Sequence, residues 1–213
     1  MATRARLPAR LRMLGEPSMV KIMLSGTSLI AVQSGLLVLT VLHLVDTAGL
    51  TPAAATLVLV AAQVAGVVGR IGLAAWSDRA SGRHLTVMTC MIAVIAGLAA
   101  LMTPLGAYPP AACLIFTWLG FFGIGWYGPW VAYVAESAPE GKTGFALGLA
   151  MAVNQIAVIL VPPALGLLRD MTGSFTPPWA VLAILTAVAL AVSYRRRTAG
   201  AVTAVEGEKE GSS

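Results

Sequence analysis

Residues 69–83 read GRIGLAAWSDRASGR. They place Arg70, Asp78, Arg79 and Arg83 in a short stretch between two long apolar runs. Elsewhere charge is scarce: 11% of the 213 residues are charged and 58% are apolar. A soluble domain carries about 25% charged residues, and a mean hydropathy of +0.84 points the same way. A tight charged link between two bilayer-length runs is the pattern of a loop joining transmembrane helices.

Working outward from that loop, six apolar runs fall at about 22–43, 52–75, 84–105, 110–134, 143–168 and 177–195. Each is near the ~20 residues that a helix needs to cross a hydrocarbon core about 30 Å thick. A helix satisfies its own backbone groups, which open-ended extended structure cannot do in lipid. Helix stops and starts separate the runs: Asp46 to Pro52, Asp78 to Arg83, Pro104 to Pro110, Pro139 to Gly141 and Gly173 to Pro178. The expected fold is an all-α integral membrane protein with six transmembrane helices. Residues 1–20 read as a basic cytoplasmic arm or interdomain linker, 21–197 as the bundle, and 198–213 as a disordered cytoplasmic tail.

Charge sets the orientation. With the N-terminus inside and spans alternating, Arg169 is the one basic residue of the 14 that falls outside. The positive-inside rule therefore predicts a multi-pass inner or cell membrane protein with both termini cytoplasmic. The net charge of +5 does not signal nucleic acid, because the basic residues sit in short groups at span ends rather than in a stripe. Cys90 and Cys113 lie inside apolar runs and read as packing. Two such cysteines supply neither a disulfide framework nor a metal site.

Three motifs resemble the major facilitator superfamily. Its loop signature, roughly G-x-x-x-D-R-x-G-R-R, is similar to Asp78, Arg79, Gly82 and Arg83 here. Ala74 stands where the signature has glycine, one extra residue precedes Gly82, and His84 replaces the last basic residue. The stretch 135–149, AESAPEGKTGFALGL, resembles the family's link between its tenth and eleventh helices. The stretch 162–175, PPALGLLRDMTGSF, resembles the end of the eleventh helix and the loop after it. All three sit in register with a carboxy-terminal six-helix half. The resemblance implies one bundle made of two inverted three-helix repeats, with substrate bound between it and a second six-helix half. That half is expected from the same polypeptide in a longer gene, from a partner chain or from a second copy.

The resemblance gives Asp78 and Arg83 a gating role, with Arg79 and Gly82 as parts of the same loop; anchoring at lipid headgroups is the alternative. Arg70 is placed near the inner end of the second span, to snorkel or to pair with Asp78. A contact to an anionic substrate is the lesser reading, since no basic residue is placed mid-span. Polar groups inside a span are costly and tend to mark a pathway. Gln33, Gln63, Asn154 and Gln155 are such groups, and each is either a cavity residue or an interhelical hydrogen bond. Gly66, Gly69 and Gly72 read as close packing. Trp118, Phe122, Trp126 and Trp130 recur every four residues as an aromatic stripe interrupted by glycines, with Pro129 expected to bend the span. Trp126 and Trp130 are the substrate contacts if that stripe faces a cavity. Pro162 and Pro163 predict a second kink.

The expected function is secondary active transport of a small solute by alternating access. No enzyme activity, cofactor or metal is expected; lipid and an unidentified small molecule are the expected partners. No acidic residue falls mid-span, so a proton carrier is not evident. Gly141, Lys142 and Thr143 match the end of a phosphate-binding loop, but no strand precedes them and its first glycine would fall at Glu136. A membrane subunit of an ABC-type permease and a non-transporting scaffold are the alternatives.

Overall fold

The computed structural model describes residues 17–79, 82–138 and 141–210. These are helical and loop segments, with no strand among them. The helices are α1 (Pro17–Asp46), α2 (Pro52–Arg79), α3 (Arg83–Leu101), α4 (Pro109–Gly125), α5 (Tyr127–Ser137), α6 (Thr143–Thr172) and α7 (Thr176–Glu210), with a 3₁₀ turn at Pro104–Gly106. Among the described residues, six segments are long and apolar enough to cross a membrane. The fourth of them, Pro109–Ser137, is α4 and α5 together. The arm expected at 1–16 lies outside the described residues. α7 continues past 197 without a break, through a stretch rich in Ala and Glu, which favour helix.

Proline and glycine set the ends. Pro52 and Pro109 open α2 and α4, where a missing N–H is no loss. Gly173 closes α6 in the left-handed region at φ +62°, and its N–H donates to Arg169 O at 2.8 Å. α3 stops at Leu101, short of the expected 105, because Met102 and Thr103 turn their N–H groups to Ala99 and Ala100 and Pro104 opens the 3₁₀ turn. Pro129 has no N–H to return to Gly125, and the fourth span is interrupted at Trp126. Pro162 and Pro163 do not divide α6, which runs as one helix through both.

α1 is the centre of the bundle. It packs against α2, α4, α6 and α7, and 61% of its span is buried. α3 and α7 pack on each other at the back. α2 and α6 flank the centre, each only 22% buried, and leave broad apolar faces open. Those faces carry Leu57, Val64 and Ile71 on α2, and Ile156, Ile159 and Leu167 on α6.

The closest helix pair is α2 with α4. A Cβ built on Gly69 would meet Phe121 O at 2.3 Å, one on Gly120 would meet Ala62 O at 2.2 Å, and one on Gly125 would meet Gly69 C at 2.8 Å. Lipid tails are as apolar as leucine, so helices in a bilayer associate through close packing rather than a hydrophobic drive. Gly72, the third of the evenly spaced glycines, is not part of the seam; its Cβ would meet only Phe121 Cζ, at 3.8 Å.

Gly120→Leu is therefore expected to separate the two helices and destabilise the bundle by about 3 kcal/mol or more, whereas Gly72→Ala should be close to neutral. Thermal unfolding of both variants in one detergent checks the contrast; equal melting temperatures would remove the seam from the account.

Candidate functional site

Three groups of polar residues stand out, one at each end of the bundle and one inside it. At the end where α2 gives way to α3, Gly82 adopts φ +126°, a conformation open to glycine, immediately before α3. Arg83, the first residue of α3, pairs there with two acids. Arg83 Nη1 donates to Asp78 Oδ1 at 2.6 Å, and Arg83 Nε donates to Glu136 Oε1 at 2.6 Å. One guanidinium thus ties the ends of α2, α3 and α5. Glu136, to which the sequence assigned no role, lies in the last turn of α5. Arg79 reaches only its own helix, at Ala75 O, 3.5 Å away. Arg70 does not pair with Asp78, because eight residues of helix put them about 12 Å apart along the axis.

The opposite end has its own cluster. Arg169 in the last turn of α6 pairs with Asp46 at the end of α1 and with Asp170 at 3.0 Å, and its Cζ lies 5.2 Å from the centre of the Phe175 ring. Beneath it, His43 is buried against the edges of Phe116 and Phe175. Trp179 Nε1 donates to His43 Nδ1 at 3.2 Å, and an indole can only donate. The imidazole hydrogen therefore sits on Nε2 and is donated to Gly106 O, 3.1 Å away.

Between these ends lies a pocket of about 180 Å³, lined by Ile30 of α1, Tyr127 of α5 and Met151, Asn154, Gln155 and Val158 of α6. Several buried hydroxyls elsewhere in the bundle are satisfied within their own helices, as Ser34 donates to Ile30 O at 2.8 Å and Thr186 to Leu182 O at 2.8 Å, whereas Ser77 Oγ has no partner among the described residues. In the pocket wall Asn154 is 6% exposed, and neither its Oδ1 nor its Nδ2 has a hydrogen-bond partner among the described residues. Gln33 Oε1, one turn from Ile30 on α1, is likewise buried and unpartnered. Gln155 is exposed beside Asn154. A larger hollow of about 340 Å³ between α3 and α4 is walled by apolar side chains such as Ala96, Leu114 and Trp118, and lacks such a group.

The tryptophans expected at the substrate do not line this pocket. Trp126 and Trp130 are fully buried; Trp130 Nε1 donates to Ile22 O at 3.0 Å and its ring fills the space over Gly26. Four-residue spacing turns by about 40° per step, so the stripe passes from Trp118, 48% exposed, into the core at Trp130. The aromatic at the pocket is Tyr127, next to Trp126 in sequence and on a different side of the helix.

Arg70 also moves relative to expectation. α2 does not stop before the charged residues but runs nine positions beyond Arg70, to Arg79, so Arg70 lies about 14 Å inside the helix end. Its Nε donates to Ile124 O at 3.3 Å, beside the interruption at Trp126, and its Cζ lies 5.8 Å from the centre of the Tyr127 ring.

The family model described as Major Facilitator Superfamily matches residues 22–212, nearly the whole chain. No curated protein matches the sequence.

A buried amide without a partner costs about 1–3 kcal/mol. Asn154→Leu, which removes the amide and keeps the bulk, is expected to raise the melting temperature in detergent, while Ser34→Ala should not. A fall in melting temperature for Asn154→Leu would mean that the amide holds the bundle together.

Proposed function

The chain belongs to the major facilitator superfamily, whose members are membrane transporters, and from that premise we propose that it moves a small solute by secondary active transport with alternating access. The observation that carries this reading is the pocket at mid-span with the unpartnered Asn154 amide in its wall. A group kept buried, polar and unpaired at a cost in stability is explained when a solute completes its hydrogen bonds. Gln155 adds an exposed amide at the same place, and Gln33 lies one turn away from the pocket along α1.

Alternating access requires ends that open in turn. Arg83 with Asp78 and Glu136 is the inner latch in this reading, with Gly82 allowing the turn and Arg79 supporting it. Arg169 with Asp46 is its outer counterpart. Both sets are partly exposed, so each is weak enough to break. The apolar faces of α2 and α6 are where a second six-helix half would close the pathway. The distribution of basic residues supports cytoplasmic termini. No covalent step is involved.

Accessibility tests the mechanism. With Cys90 and Cys113 replaced by alanine, Gln155→Cys should react with a membrane-impermeant maleimide both in intact cells and in inverted vesicles. Adding Arg83→Gln should loosen the inner end and shift the ratio toward the cytoplasmic side by up to about fivefold, the value of an exposed pair. Labelling from one side alone, unchanged by Arg83→Gln, would describe a static cleft and sink alternating access.

A further inference from the structure

An arginine inside a membrane-spanning helix needs a reason, because lipid does not solvate it. Arg70 is such a residue. It lies on a helix that spans the membrane, well away from the inner end, and its side chain is exposed. Among the described residues no carboxylate lies within ion-pair distance of it; the ion pairs there are those of Arg83 and Arg169. Its Nε is held by Ile124 O, a carbonyl beside the interruption between α4 and α5. That bond keeps the guanidinium at the level of the break instead of extended toward the cytoplasmic interface. The remaining guanidinium N–H groups on Nη1 and Nη2 have no described protein acceptor.

The Arg70 guanidinium lies over the Tyr127 ring, its Cζ 5.8 Å from the ring centre, and Tyr127 in turn lines the 180 Å³ pocket, so Arg70 stands behind that wall rather than in it. In that same wall stands Asn154, more than nine-tenths buried, with both amide atoms unpaired. Two independent features therefore converge: a fixed positive charge without a counter-ion, and a buried amide without a partner. A guanidinium offers paired N–H donors that match the two oxygens of a carboxylate or phosphate, and Asn154 Nδ2 is a further donor. The rest of the lining, Ile30, Met151 and Val158, is apolar.

We propose that the solute is a small organic anion whose carboxylate or phosphate is held by Arg70 at the Tyr127 side of the pocket, with Asn154 bonding its polar body and Ile30, Met151 and Val158 enclosing its apolar part. This rests on the transporter reading above and names the charge that the site selects. It also accounts for the absence of an acidic partner for Arg70: the counter-ion arrives with the solute.

The test uses the full chain in lipid nanodiscs and two probes of one shape, benzoate and benzamide. Each is titrated while the melting temperature is followed. Benzoate should stabilise the protein and benzamide should do so far less. Arg70→Gln should weaken benzoate binding on the order of 10- to 100-fold, as for loss of a charge-assisted hydrogen bond, and should abolish the preference for benzoate. Arg70→Lys, which keeps the charge, should restore part of it. Asn154→Leu should weaken both probes. If benzoate and benzamide bind alike, or if Arg70→Gln leaves benzoate binding unchanged while Asn154→Leu reduces it, the anion assignment falls and the pocket stands as a site for neutral solutes. If neither probe binds the wild type, the assignment of a small apolar-bodied anion is overturned, and the two-sided labelling of Gln155→Cys decides separately whether the pathway exists.

Discussion

The approach of α2 to α4 leaves no room for a β-carbon at Gly69, Gly120 or Gly125. In a bilayer this matters more than it would in water. Helices there gain little by turning leucine from lipid to protein, so what holds them is the closeness with which backbones meet. The seam also does more than join two helices. It fixes the level at which α2 faces the interruption at Trp126, and hence sets Arg70 beside Ile124 O and the Tyr127 ring. If the seam slipped by one turn, about 5.4 Å, that carbonyl and that ring would be out of reach of the guanidinium.

Ion pairs and hydrogen bonds join the helix ends: Arg83 to Asp78 and Glu136, Arg169 to Asp46, and His43 between Trp179 and Gly106. Buried polar atoms without a partner among the described residues are spread more widely, from Ser77 Oγ near the end of α2 and Arg169 Nε near the end of α6 to Trp126 Nε1, Gln33 Oε1 and the Asn154 amide. Of these, Asn154 has both polar atoms unpaired and lines the 180 Å³ pocket.

Much of the architecture was legible in the sequence because lipid imposes it. Spans must be apolar and about 20 residues long, and loops must collect the charges, so six helices could be counted from composition alone. The charged loop was legible as a cluster, but its pairing was not: the partner offered for Asp78 was Arg70, eight residues back, whereas the structure gives it Arg83. Rotation about a helix axis was not legible. A slow drift of 40° per four residues carried Trp130 into the core and left Tyr127 at the pocket. Nor was the depth of Arg70, since a helix that continues through Asp78 and Arg79 looks, in sequence, like a helix that has stopped. Glu136 was hidden by the same ambiguity at the end of α5.

The wall of the pocket contributed by α6 is sparsely packed. Met151, Gln155 and Val158 are exposed, and a Cβ on Gly144 or Gly148 on the same helix would meet nothing within 4 Å. Substitutions there remove little that the bundle depends on, and surface changes away from caps and cores stay within about 0.5 kcal/mol. The α2–α4 seam has no such freedom. Solute preference can therefore drift across α6 during evolution through steps that are nearly neutral for folding, while the seam opposite remains fixed. Divergence among relatives sharing this architecture should concentrate on that one helix face.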